Sequence, residues 1–264
     1  MQLTVVAEDA RGRPHPGLSA DEIAIHDDGQ AIPKFVLQPI GDLPLRVGIV
    51  LDLSGSTAVT WEQVRRSLVE SVGELVRSED QVLVVTFTRK VELARTVHEP
   101  MELQLLLPTS DTGGLTALYD SLYATCDDST FFEKSGAVHS ALILFSDGED
   151  NLSLKGLGDA IARAQRAGIA IYTVAMHRRK AYRPGDAILA QIAERTGGRS
   201  FIVKDGAELR TALLAINQEL RGGYLVSFRP NREDAAPSYH RVDVAPAVGR
   251  SFRLRTRAGY YTTP

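Results

Sequence analysis

Between residues 45 and 221 two hydrophobic patterns alternate along the chain. Short continuous apolar runs, such as Val47-Gly48-Ile49-Val50-Leu51 and Ala141-Leu142-Ile143-Leu144-Phe145, read as strands covered on both faces. Between such runs, apolar residues recur at spacings of three and four. Trp61, Val64, Leu68, Val72 and Leu75 form one such stripe, and Leu209, Leu213, Ile216 and Leu220 another. Further strands are expected at 81–87, 91–96, 170–175 and 200–203, and further helices near 116–125, 156–166 and 187–195. Strands buried on both faces need helices above and below them. The alternation therefore predicts an α/β fold, a doubly wound and mostly parallel sheet with helices on both faces.

The flanks follow a different rule. Residues 1–43 carry short strand-like runs at 3–7, 22–26 and 34–37, separated by turns such as Arg11-Gly12-Arg13-Pro14 and Asp27-Asp28-Gly29. Beyond Gly222-Gly223 the helical period is lost, and 224–229, 241–244 and 252–256 again read as strands. The expected division is a β segment at 1–43, a core domain at 44–221 and a second β segment at 222–264. The two β segments either pair into one smaller β-sandwich, from which the core is an insertion, or form independent strand clusters.

Composition narrows the function classes. With 30 basic and 33 acidic residues the net charge is −3, too small a field to imply nucleic acid or a bilayer as partner. The single cysteine, Cys126, excludes an intrachain disulfide and a multi-cysteine zinc site. No stretch approaches the ~18 apolar residues of a membrane span, and the N-terminus shows no basic and apolar leader. The expected location is extracytoplasmic if a leader precedes this chain in the cell, and cytoplasmic otherwise. The histidines are scattered without zinc or triad spacing, read for the most part as surface or loop residues, and are assigned no role.

Ligands of open α/β sheets bind beyond the carboxyl ends of the strands. The first core strand ends in Asp52-Leu53-Ser54-Gly55-Ser56-Thr57, which offers a carboxylate and two hydroxyls at alternate positions. The strand at 141–145 ends in Ser146-Asp147-Gly148-Glu149-Asp150-Asn151. Between them lies Thr112-Gly113-Gly114-Leu115-Thr116, a glycine loop entering a helix. Hydroxyl oxygens with few carboxylates suit a hard cation and leave it electrophilic, so an open position favours an incoming carboxylate. Alone, Asp-x-Ser-x-Ser is a weak signal, since Ser56 or Thr57 equally serves as a helix cap.

Together these residues resemble the von Willebrand factor type A domain and its metal-ion-dependent adhesion site. That signature is Asp-x-Ser-x-Ser, a distant Thr and an Asp after a later strand. Asp52, Ser54 and Ser56 fill its first element, Thr116 its second and Asp147 its third. The resemblance implies direct metal contacts from both serines and Thr116, with Asp52 and Asp147 acting through water or hydrogen bonds. It implies Mg²⁺, with Mn²⁺ or Ca²⁺ as alternatives, and a protein partner that supplies Asp or Glu to the ion. Relatives commonly place Gly-Gly directly before the threonine. Here Leu115 intervenes, which admits Thr112 as the ligand. Thr116 is favoured because it directly precedes the helical run 117–120. The flanking motifs Asp27-Asp28-Gly29-Gln30 and Arg257-Ala258-Gly259-Tyr260 resemble those of bacterial proteins described as von Willebrand factor A-related. Related domains can shift their last helix on binding, which would pass movement through Gly222-Gly223.

Asp120 reads either as a positioner of the Thr116 loop or as an exposed first-turn acid. Glu149 and Asp150 read best as charges at the start of the following helix, where its dipole favours them. The expected function is metal-dependent protein binding without catalysis. Two alternatives compete with it. One is a Mg²⁺-dependent phosphoryl-transfer enzyme, which would want an acid two residues after Asp52, where Ser54 stands. The other is a structural module without metal.

Overall fold

The computed structural model describes residues 1–97, 100–107, 113–128, 131–132, 138–177, 182–230 and 236–262. The strands of the core are β5 (Leu45–Asp52), β6 (Gln81–Phe87), β7 (Val91–Val97), β8 (His139–Phe145), β9 (Ala170–Met176) and β10 (Ser200–Val203). They form one sheet in the order β10-β9-β8-β5-β6-β7, parallel except for β7, which runs antiparallel to β6 at one edge.

Among the described residues six helices accompany the sheet: α1 (Ala58–Leu75), α2 (Pro100–Leu106), α3 (Leu118–Asp127), α4 (Leu157–Ala167), α5 (Pro184–Thr196) and α6 (Gly206–Gly222). Alternation along β5 sorts them into two layers. Leu45, Val47, Ile49 and Leu51 pack with Trp61, Val64 and Leu68 of α1, Leu103 of α2 and Leu209, Leu213 and Ile216 of α6. Val50 points the other way, into a cluster with Leu118 and Leu122 of α3, Ile161 of α4 and Leu189 and Ile192 of α5. The side chains of Val72 and Leu75, expected on the α1 stripe, lie outside the described residues. No helix among the described residues is long and apolar enough to cross a membrane.

Helix α2 was not expected from the sequence, because its seven residues are too few to display a helical period. Helix α3 starts two residues later than expected, at Leu118.

The flanking strands are β1 (Gln2–Glu8), β2 (Ile23–Asp27), β3 (Gln30–Ala31), β4 (Phe35–Pro39), β11 (Tyr224–Phe228), β12 (Tyr239–Pro246), β13 (Arg253–Arg255) and β14 (Gly259–Tyr261). They make two antiparallel sheets, β13-β1-β11-β4 and β14-β12-β2-β3, each mixing strands from both ends of the chain. Leu3, Val5, Ile23, Ile25, Tyr224, Val226, Val242, Val244 and Tyr260 share one buried cluster, so the two sheets face each other across a common core. The core domain leaves this β module after β4 and returns through α6 into β11. Gly223, at that return, is closely packed: a methyl group on it would lie 2.9 Å from Ile40 Cδ1.

Candidate metal centre

The chain crosses from one half of the sheet to the other between β5 and β8, which lie side by side although β6 and β7 intervene in sequence. This is the switch point at which doubly wound sheets open a crevice. The register places Leu51 opposite Phe145, so the next residues on each strand, Asp52 and Ser146, emerge together. Ser146 donates its hydroxyl to Asp52 Oδ2 at 2.7 Å, and the Ser54 amide donates to Asp52 Oδ1 at 2.9 Å. Thr57 donates its hydroxyl to the carbonyls of Asp52 (2.8 Å) and Ser54 (3.0 Å), which closes the loop upon itself. Its side chain is thus spent on the loop.

Ser54 is fully buried and Ser56 is exposed, yet their hydroxyl oxygens are 3.3 Å apart. The glycine loop is pinned alongside by two backbone bonds, Gly113 N to Leu53 O (2.8 Å) and Gly55 N to Gly114 O (3.2 Å). Thr116, two residues after Gly114, is buried. Asn151 grips the Thr116 backbone on both sides, since its Oδ1 accepts from Thr116 N (2.8 Å) and its own amide donates to Thr116 O (3.1 Å). The structure thus gathers the loops bearing Asp52, Ser54, Ser56, Thr116 and Asp147 at one end of the sheet. Thr112, the alternative threonine, lies outside the described residues.

Asp147 is buried, with Oδ1 accepting from Glu149 N at 3.2 Å. Its Oδ2 is buried and has no hydrogen-bond partner among the described residues. Gly148 adopts φ +79°, and a side chain on Gly185 would meet Asp147 O at 2.0 Å, so the first turn of α5 presses directly on the Asp147 backbone. That contact is held by a buried pair that sequence reasoning missed. His177, just past the end of β9, meets Asp186 of α5 at 2.7 Å between Nε2 and Oδ1, and Asp186 Oδ2 accepts from Arg183 N. A cavity of about 30 Å³ lined by Asp52, Ser56, Asp147, Trp61 and Met176, with Arg183 at its rim, has room for roughly an ion or a water.

Burial pushes the Asp52 carboxyl up to about 6; hydrogen bonds from Ser146 and Ser54 oppose the rise, and the neighbouring Asp147 charge adds to it. At the rim, exposed Arg183 flanks one side, and the Arg89 guanidinium approaches Gly114 on the other.

Two expectations are corrected here. Asp150 does not serve the helix that follows it. It reaches back to α3, accepting from Leu118 N (2.8 Å) and Tyr119 N (3.4 Å), while Asp120 of α3 accepts in return from Leu154 N and Lys155 N. The reciprocal bonds clamp the Thr116 loop to the loop after β8. Replacing Asp150 by Ala is expected to cost about 1–2 kcal/mol in urea unfolding, the usual loss for a carboxylate helix cap. The second correction concerns the histidines: His139, His177 and His240 are buried rather than on the surface. His98 lies outside the described residues.

An open sheet whose two central strands deliver hydroxyls and carboxylates to a shared crevice defines a doubly wound domain with an oxygen-lined site. The model of the von Willebrand factor type A domain matches residues 47–214, well over half of the chain, and the chain belongs to that family. A von Willebrand factor type A protein from Catenulispora acidiphila superposes with a TM-score of 0.55 at 13% identity, covering 98% of this chain and 73% of that one. BatB from Bacteroides thetaiotaomicron gives a TM-score of 0.52 at 20% identity, covering 67% of this chain and 97% of that one. Proximal thread matrix protein 1 from the mussel byssus, in a structure with a zinc-occupied MIDAS motif, gives 0.56 at 16% identity, covering 75% of this chain and 50% of that one. At such identities the likeness is one of fold. Among curated proteins none matches the chain significantly.

Proposed function

We propose that the chain is a divalent-metal-dependent protein-binding module of the adhesion type, with Asp52, Ser54, Ser56, Thr116 and Asp147 holding the ion. The observation that carries this reading is Asp147 Oδ2, buried and without a hydrogen-bond partner among the described residues, in a side chain that lines the same small cavity as Asp52 and Ser56. A buried carboxylate oxygen without a partner costs free energy, which a cation beside it offsets. The donor set fits Mg²⁺, because adjacent oxygens in an octahedral magnesium shell lie roughly 3 Å apart, close to the 3.3 Å between the two hydroxyls. Mn²⁺ and Ca²⁺ are the alternatives, and the mussel protein's zinc is in keeping with a site of limited selectivity.

The bound ion would supply an open coordination position for an anionic oxygen. Ser54 and Ser56, being neutral, leave that charge unquenched. Asp52 and Asp147 set the geometry from behind, Asp52 through Ser54 and Ser146. Arg89 and Arg183 favour an acidic group approaching the rim, which supports a partner protein that presents Asp or Glu. A phosphoryl-transfer enzyme would need an acid where Ser54 stands, and we read the module as non-catalytic. We further propose that the chain divides into 1–43, 44–221 and 222–264, with the outer segments acting together as a bacterial β module that presents the binding domain.

Millimolar Mg²⁺ or Mn²⁺ is expected to raise the melting temperature of the wild type and to leave Asp52→Ala and Asp147→Ala unmoved. An ion that binds only the native state contributes about 2.7 kcal/mol at about a hundredfold excess over its Kd. Equal shifts in all three proteins would defeat the assignment. Metal-dependent turnover of a phosphate ester, abolished by Asp52→Asn, would replace it with catalysis.

A further inference from the structure

The two motifs at the flanks, 27–30 and 257–260, do no work in the crevice, but they meet each other. Asp27 ends β2 and Asp28 follows it at φ +49°, while His240 lies on β12, directly opposite Tyr260 of β14. His240 Nδ1 lies 3.4 Å from Asp27 Oδ1 and 3.1 Å from Asp28 Oδ2. Among the described residues, this is the group of three His, Cys, Asp or Glu side chains whose ligand atoms all fall within 4.8 Å of one another. We infer that Asp27, Asp28 and His240 form a second metal site, specific for a borderline divalent ion such as Zn²⁺ and separate from the crevice of the core domain.

Each ligand is held from behind. Asp27 Oδ2 accepts from the Tyr260 hydroxyl at 2.9 Å, and Asp28 Oδ1 accepts from the Arg241 amide at 2.9 Å, which leaves one oxygen of each carboxylate for the ion. The His240 ring stacks on Tyr260, with centroids 5.2 Å apart and planes 12° apart, so its rotation is fixed. Such outer partners are what hold metal ligands in place. Gly259 makes the stacking reachable: a side chain there would meet His240 O at 2.3 Å, so only glycine lets β14 approach.

The decisive observation is at Asp27. The residue is 4% exposed, and its Oδ1, which faces His240 and Asp28, accepts no hydrogen bond among the described residues. Two carboxylates balance a doubly charged ion, and the imidazole nitrogen selects zinc-like ions over magnesium and calcium. Asp28 is half exposed and gives the ion a path in from solvent. The site would tie residue 27 to residue 240 across the whole inserted core, a metal staple that closes the β module.

The test uses the full chain carrying Asp147→Ala, which removes the crevice site. Zinc calorimetry is expected to find one equivalent bound, with a rise of several degrees in melting temperature, and Co²⁺ to give visible d–d absorption from a nitrogen-containing shell. Adding Asp28→Asn, which keeps the bond from Arg241 and tolerates the same backbone, is expected to weaken zinc binding tenfold or more. His240→Gln should abolish the cobalt spectrum. Absence of zinc binding by Asp147→Ala would overturn the site and leave a plain histidine–aspartate ion pair. Undiminished zinc binding after Asp28→Asn would overturn it equally.

Discussion

Metal-free Asp52→Asn is expected to be more stable than the metal-free wild type at neutral pH, by about 3 kcal/mol, while losing all response to Mg²⁺. The native carboxyl titrates at about 6 and the unfolded one near 3.8, a rise caused first by burial. The folded state therefore holds the proton more tightly than the unfolded state. The contribution of this carboxyl to metal-free stability is greatest below pH 3.8, declines as the pH rises through about 6, and is level above that. Each pKa unit is worth about 1.4 kcal/mol, which sets the size of the gain. Asn keeps the shape and can accept from Ser54 N, while the Ser146 hydroxyl turns to accept from its amide. Urea unfolding in a chelator at pH 5 and pH 8 measures the effect. The mutant's advantage should be larger at pH 8. A mutant less stable than the wild type at pH 8 would mean that Asp52 braces the fold as a carboxylate, and the binding role would fall with it. On the proposed reading such a cost is accepted because the charge that destabilises the metal-free site would be the charge that holds the ion.

That trade explains which parts were legible beforehand. Strands such as 47–51 and 141–145 announce themselves because both faces are buried and no polar residue interrupts them. The spacing of Asp52, Ser54 and Ser56 announces itself because one strand end carries all three. What escaped is whatever depends on a partner far along the chain. Ser146 lies beside Asp52 only because β8 adds to β5 across an intervening hairpin, and Asp150 caps a helix 32 positions earlier. His177 and Asp186 are nine residues apart, close enough to notice, but their pairing needs β9 and α5 to pack, and spacing alone does not reveal it. The joining of the two flanks could be framed as a choice between one sandwich and two clusters. The pairing of Val5 with Tyr224 resolved it, a contact between strands at opposite ends of the inserted domain.

The same long-range logic places the largest loss of stability away from the crevice, at Glu219. This residue is 3% exposed on α6, one turn before Gly222, and two arginines converge on it. Arg199 donates at 3.0 Å from the turn into β10, and Arg255 of β13 donates to the other carboxylate oxygen. Arg255 also donates to Gly197 O at 2.7 Å, and Glu8 of β1 lies 3.6 Å from Arg255 and 3.7 Å from Arg199. Two acids and two bases thus fasten the last helix of the core domain to the β module. Glu219→Leu is expected to cost about 3 kcal/mol, because it leaves the partly buried Arg255 and the more exposed Arg199 with only Glu8 to balance them. Arg255→Met in the same chain should return much of that loss, with a coupling of about 1–3 kcal/mol in a double-mutant cycle. Simple additivity would sink the idea that the four residues act as a unit. If the coupling is found, any shift of α6 on ligand binding must drag Arg255 and β13 with it. Movement would then reach the β module through this charged cluster, since Gly223 is itself packed against Ile40 and Val5 and has little room to hinge.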